Sequence, residues 1–166
     1  MPSRAKLRRR VFKPLIDTLV SEHVRFVVIG GVAINLRGHA RMTEDFDVAY
    51  ARDRENFASL VHALGPYRPR LRGADDSLPF FWDEPTLRQG CNFTLDTELG
   101  PIDLLGEVTG IGSYDKVEAF AEPMPLYGHD VLVLTVDGLI VAKRAAGRAK
   151  DLLDLGFLVT LKQRNG

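Results

Sequence analysis

Cysteine is nearly absent: Cys91 is the single thiol among 166 residues. One thiol excludes an internal disulfide framework and a thiolate zinc site. Histidine is scarce too, with His23, His39, His62 and His129 far apart and neither an HxxxH pair nor an H-E-x-x-H helix among them, so a histidine-based metal site is not expected. No apolar run approaches the roughly 18 residues of a membrane span. The basic N-terminus leads into VFKPLIDTLV without an apolar signal core or a small-residue cleavage site. The expectation is a soluble protein of the reducing cytoplasm with no membrane partner.

Other signatures are missing. There is no G-x-x-x-x-G-K-[ST] loop and no G-x-S-x-G elbow. Gly110-Ile111-Gly112 does not complete a dinucleotide fingerprint, because Asp115 stands where the third glycine belongs. The stretch from Asp45 is not an EF-hand loop, since Ala49 and Tyr50 occupy the third ligand and glycine positions. No internal repeat is visible.

Net charge is absent as well, with 22 basic against 22 acidic residues. This excludes a uniformly cationic nucleic-acid binder and an acidic disordered tail. Residues 1–13 hold six cations and no acid, residues 143–166 six cations and two acids, and the middle ten cations and twenty acids. An acidic centre lies between two basic ends. The hydrophobic fraction of 45% suits one domain of this length. We therefore expect a single domain over 1–166, with a basic arm at 1–10 and closing helices over 136–163.

Apolar spacing predicts helices over 10–22, 32–37, 52–64 and 113–121, then 136–146 and 149–163. Strand-length apolar runs fall at 24–29, 45–50, 91–97, 101–106, 124–127 and 130–134. The segment 66–90 is irregular, with four prolines and the cluster Phe80-Phe81-Trp82. Some strands are linked too tightly for a parallel crossover. The expected fold class is α/β (α+β), a mixed β-sheet with helices packed on it.

The chemistry concentrates in IGGVAINLRGHARMTEDFDVAY, residues 29–50. A strand ends at Gly30-Gly31, a short helix follows, and a second strand opens with Asp45-x-Asp47. Residues two apart on a strand share a face, so both carboxylates enter one place. Their repulsion is relieved by a hard cation such as Mg²⁺, which takes one or two carboxylates plus phosphate oxygens. The glycines admit close backbone approach and open a helix whose free N–H groups attract phosphate. A third acid, Asp103, is the only charge in GPIDLLG; beside the first two it would complete a two-metal site. Together these features suit a nucleoside triphosphate bound through Mg²⁺.

The pattern GG-x(13)-D-x-D with a later strand carboxylate resembles the DNA polymerase β-like nucleotidyltransferase superfamily. Within it, R-x-T-x-D-x-D (Arg41, Thr43, Asp45, Asp47) is similar to the small bacterial nucleotidyltransferases of the AbiEii and toxin–antitoxin type. The segment LIVAKRAAGRAKDLLDL, 139–155, resembles their later K…KDxxDL motif. The resemblance implies the polymerase β-like fold with C-terminal helices, and Asp45, Asp47 and Asp103 as catalytic, metal-binding carboxylates. It implies two Mg²⁺ ions, an NTP as substrate, and nucleotide contacts from Gly30, Gly31 and Lys143, with Lys150 and Asp151 as weaker correspondences. In many members a serine follows the first glycine and touches a phosphate; here Gly31 leaves only backbone donors.

Several side chains keep two readings. Arg41, with Thr43 on the approach to the acids, reaches a phosphate or the acceptor, or forms a surface ion pair. Lys143, in an apolar stretch, contacts phosphate or snorkels to solvent. Phe80, Phe81 and Trp82 stack on a base or, the simpler expectation, pack in the core.

The implied activity is transfer of a nucleoside monophosphate from an NTP to an acceptor hydroxyl. The basic ends suit an RNA backbone. The resemblance to toxin members implies the 3′ end of tRNA as acceptor, with a protein hydroxyl next, small molecules such as aminoglycosides also open, and a cognate antitoxin as an implied partner. The alternative is a non-catalytic regulator of the same fold that binds nucleotide or nucleic acid.

Overall fold

Strands form where the β-branched and aromatic runs lie. The structure, a computed structural model that describes residues 12–166, places β1 at Phe26–Ile29 and β2 at Phe46–Tyr50. β3 is Arg70–Leu71, β4 Asn92–Thr97 and β5 Gly100–Leu105. β6 (Glu107–Val108) and β7 (Gly112–Ser113) form a separate small hairpin. β8 (Ala121–Leu126) and β9 (His129–Leu134) complete the main sheet, whose order is β3-β4-β5-β2-β1-β9-β8. β1–β9 and β2–β5 are parallel and the other pairs antiparallel. The mixed sheet expected from the short links is therefore present.

Among the described residues seven α-helices accompany it: α1 (Lys13–Ser21), α2 (Gly30–Leu36), α3 (Arg54–Leu64), α4 (Glu84–Gln89), α5 (Tyr114–Ala119), α6 (Val136–Ala146) and α7 (Ala149–Asn165). Their starts follow from local chemistry. Asp53, Asp83 and Thr135 accept the N–H of Asn56, Thr86 and Gly138 respectively, capping α3, α4 and α6. None of the helices among the described residues is long and apolar enough to cross a membrane. The basic arm 1–10 lies outside the described residues.

Phe46, Val48 and Tyr50 alternate with Asp47 on β2, and Ile102 and Leu104 flank Asp103 on β5; all five apolar or aromatic side chains are buried. One face of the sheet is thus core. Phe12 stacks on Phe46 there, and Trp82 meets Phe93 edge-on with its Nε1–H donating to the Leu60 carbonyl. Phe80 and Trp82 pack against the core while Phe81 is exposed, so of this trio two are packing residues and none borders the cleft described below.

The differences from expectation are local. The segment 66–90 contains β3 and α4, whose two and six residues are too short to leave a periodic signal. The β6 and β7 strands, two residues each, are likewise too short to leave one. Helix α2 begins at Gly30 rather than residue 32, because Gly30 takes a left-handed φ of +66° directly after extended Ile29.

Candidate active site

The register of β2 against β5 makes Asp47 and Asp103 direct partners, and Asp45 sits just ahead of β2. Side chains alternate along each strand, so the same geometry that buries Phe46 and Ile102 turns Asp47 and Asp103 to the opposite face. One oxygen of each, Oδ1, is buried without a hydrogen-bond partner. Such orphaned acceptors are rare in folded proteins and mark unmet coordination. Burial, the neighbouring Asp103 and then Asp45 raise the Asp47 pKa to about 7, against the opposing charge of Lys143.

A cleft of about 440 Å³ opens over these acids. Gly30, Gly31, Arg41 and Thr43 border it together with Asp45, Asp47 and Asp103, and Lys143 faces them from α6. Every site residue expected from the sequence lines this one cleft; Arg148, Lys150 and Asp151 also reach it, and Leu139 and Val108 supply an apolar stretch of wall.

Lys143 does not snorkel. Its Nζ lies 2.9 Å from Asp151 Oδ1 and 3.1 Å from Asp154 Oδ2, both on α7 and both buried. Arg148 adds its Nε to Asp151 Oδ2 at 2.8 Å. Burial alone would raise the Asp151 carboxyl, but hydrogen bonds from Arg148 and Lys143 hold it well below the usual range. Arg41 also pairs with Asp154, so its partner is a buried acid and not a surface one. Thr43 turns its hydroxyl back to the Asp45 carbonyl at 3.0 Å, bracing the turn that presents the acids.

Two residues were missed by sequence reasoning. Asp154 had a signal: it stands three positions after Asp151 on α7, hence on the same helical face. Arg72 had none. It follows β3, and its Nη1 lies 3.1 Å from Asp103 Oδ1 and 3.5 Å from Asp45 Oδ1.

The glycines are explained by contact. A Cβ on Gly30 would stand 2.3 Å from Asp47 Oδ2, and one on Gly31 would stand 2.6 Å from Thr43 Oγ1 and 2.8 Å from Thr43 Cβ. A serine at position 31 has no room beside Thr43.

The donor set suits a hard cation. Asp47 and Asp103 offer unsatisfied carboxylate oxygens side by side, and Asp45 is half exposed at their edge. Among the described residues no three or more His, Cys, Asp or Glu side chains form a ready-made metal cage. Mg²⁺ typically takes one or two carboxylates and completes its shell with water and substrate phosphate.

No family model matches the chain, and no curated protein matches it. Solved structures do. The lincomycin-bound lincosamide antibiotic adenylyltransferase LnuA superposes with a TM-score of 0.61 at 12% identity, covering 91% of this chain and 96% of that one. ANT(2'')-Ia in complex with adenylyl-2''-tobramycin gives 0.58 at 13%, covering 96% and 89%. TM1012 of Thermotoga maritima, itself a proposed nucleotidyltransferase, gives 0.56 at 16%, covering 96% of both chains. The chain has the nucleotidyltransferase fold. At these identities the likeness concerns the fold, and it extends over 91–96% of this chain.

Proposed function

We propose that this protein is a Mg²⁺-dependent nucleotidyltransferase that moves a nucleoside monophosphate from an NTP to an acceptor hydroxyl. The observation that carries the reading is the Asp47–Asp103 pair, register partners with orphaned buried oxygens, facing a cationic wall across one cleft. Asp45, Asp47 and Asp103 would hold the metal, as two ions. Bound there, Mg²⁺ supplies charge neutralisation for the phosphates and for the attacking and leaving oxygens.

The chain's own residues do the positioning. Gly30 and Gly31 let the triphosphate approach the backbone, and Lys143, Arg148 and Arg41 border the same cleft with positive charge. Asp103 accepts the proton of the acceptor hydroxyl as that oxygen bonds to the α-phosphorus. The bond from the α-phosphorus to the bridging oxygen breaks, and pyrophosphate leaves.

The preferred acceptor is an RNA hydroxyl such as the tRNA 3′ end, with a protein hydroxyl next. Exposed Arg144, Arg148 and Lys150 at the turn between α6 and α7 offer backbone contacts beside the cleft. The resemblance of R-x-T-x-D-x-D to toxin–antitoxin members supports a toxin role with a cognate antitoxin in the cytoplasm. A second reading, a hydroxyl of a small molecule, is favoured by the likeness to structures that hold lincomycin or adenylyl-tobramycin.

The test is incubation with each α-labelled NTP, Mg²⁺ and a cell extract separated into RNA, protein and small-molecule fractions. Wild type transfers label to one fraction; Asp45→Ala and Asp47→Ala do not. Absence of transfer, or equal transfer by the variants, refutes the reading, and the labelled fraction identifies the acceptor class.

A further inference from the structure

Two cationic side chains act on the carboxylates, Lys143 on Asp47 and Arg72 on Asp45 and Asp103, and they are held differently. Lys143 is engaged by Asp151 and Asp154. Arg72 is anchored outside the acid cluster: its Nε lies 3.0 Å from Asp96 Oδ1, and its Nη2 donates to the Leu95 carbonyl at 2.8 Å. Those two bonds leave Nη1 directed at Asp103 Oδ1 and Asp45 Oδ1. Asp103 Oδ1 stands 3.1 Å away, yet it lacks hydrogen-bond alignment to Nη1 and remains an orphaned acceptor. Nη1 therefore brings positive charge to within 3.1 Å of this oxygen.

The placement is built by the sheet. The Arg72 N–H donates to the Thr94 carbonyl at 2.9 Å, and Thr94 is the β4 register partner of Asp103. Asp47, Asp103, Thr94 and Arg72 thus form one row across β2, β5, β4 and the chain just beyond β3. The row puts a permanent positive charge at the edge of the acids.

We propose that Arg72 is a positioning residue that balances Asp45 and Asp103 when no metal is bound and so sets how tightly the free protein takes a divalent cation. A cation on those carboxylates and the guanidinium repel each other at such distances. Arg72 withdraws or the cation binds weakly, and the phosphates of an incoming nucleotide supply the negative charge that lets both remain. Divalent binding then depends on nucleotide more than the acids alone would dictate. The inference rests on the nucleotidyltransferase reading for the presence of metal, and on this chain's geometry for the competition.

The experiment measures Mn²⁺ binding by the free-ion electron paramagnetic resonance signal, at pH 8, with no nucleotide, on wild type, Arg72→Gln and Asp47→Asn. Arg72→Gln binds Mn²⁺ at least about tenfold tighter than wild type, and Asp47→Asn loses the site. Equal or weaker binding by Arg72→Gln, or no Mn²⁺ bound by either protein, overturns the proposal. On the wild-type protein alone, saturation with Mg²⁺ shifts the Arg72 guanidinium ¹⁵N resonances; unshifted resonances overturn it even if the variant fails to fold. Failure here leaves label transfer from NTP intact, whereas failure of the nucleotidyltransferase reading abolishes label transfer whatever the Mn²⁺ affinities.

Discussion

Asp47 and Asp103 are partners across the parallel β2–β5 pair, and each keeps one buried carboxylate oxygen without a hydrogen bond. Two like charges in that position oppose folding unless one is protonated or a cation lies between them. The fold keeps them there while spending Lys143 elsewhere and leaving Arg72 only partly engaged. A stability cost concentrated at a cleft is the pattern expected where the counter-charge arrives with a substrate.

That cost is measurable through pH. The Asp47 carboxyl has a folded pKa of about 7 against an ordinary 3.8, so the folded state binds this proton more tightly than the unfolded chain. Stability linked to it is fully present below pH 4 and declines as pH rises towards 7. Asp47→Asn removes the titration. At pH 8 the variant is more stable than wild type by about 1–3 kcal/mol in urea unfolding, and the difference disappears near pH 4. A variant less stable at pH 8 contradicts this account.

The same proton competes with metal. Mg²⁺ added to the nucleotide-free protein raises the melting temperature by a few degrees at pH 8 and by less at pH 6, since binding must then release the Asp47 proton. Asp47→Asn shows no such rise at either pH. A shift independent of pH places the cation elsewhere.

Much of this was legible in the chain, for identifiable reasons. Strand alternation turns Asp47 and Asp103 away from the core, and the charge-poor run around Asp103 marks it locally. The place of Asp45 just ahead of β2, and the β2–β5 register that joins Asp47 to Asp103, are not encoded by alternation. Helix α6, with its Thr135 cap, and helix α7 carry enough turns for periodicity to show. Arg72 stayed hidden because its position depends on pairing a two-residue strand with β4, a long-range register that no local pattern encodes. The buried ion pairs of Lys143 were equally invisible, since an apolar neighbourhood around a lysine suits snorkelling and burial alike.

Asp154 ties the cleft to α7. Its side chain is 2% exposed and contacts Lys143, Arg41 and, at 3.8 Å, His39, whose ring stacks on Phe157. Asp154→Ala leaves Arg41 without its anion and Lys143 with Asp151 alone. Loss of one partner from a buried pair costs about 3–5 kcal/mol, read as a lower urea midpoint with unchanged slope. Arg41 also loses its anchor at the rim, so affinity for a fluorescent NTP falls. Unchanged stability and affinity would show that the network carries neither role.

Gly31 is the position where the chain departs from the glycine–serine pair of the family it resembles, and Thr43 supplies the reason. A Cβ at 31 would stand 2.8 Å from Thr43 Cβ, a distance that requires movement of the turn bracing Asp45. Gly31→Ser, although it restores the common residue, therefore lowers stability by about 1–3 kcal/mol and weakens NTP binding. Thr43→Ala removes the hydroxyl that would stand 2.6 Å away but keeps Thr43 Cβ; combined with Gly31→Ser it recovers part of both losses. Thermal unfolding and nucleotide titration of the two single variants and the double variant measure this coupling. If Gly31→Ser alone tightens NTP binding, the hydroxyl finds a phosphate despite Thr43, and the steric explanation for Gly31 is wrong.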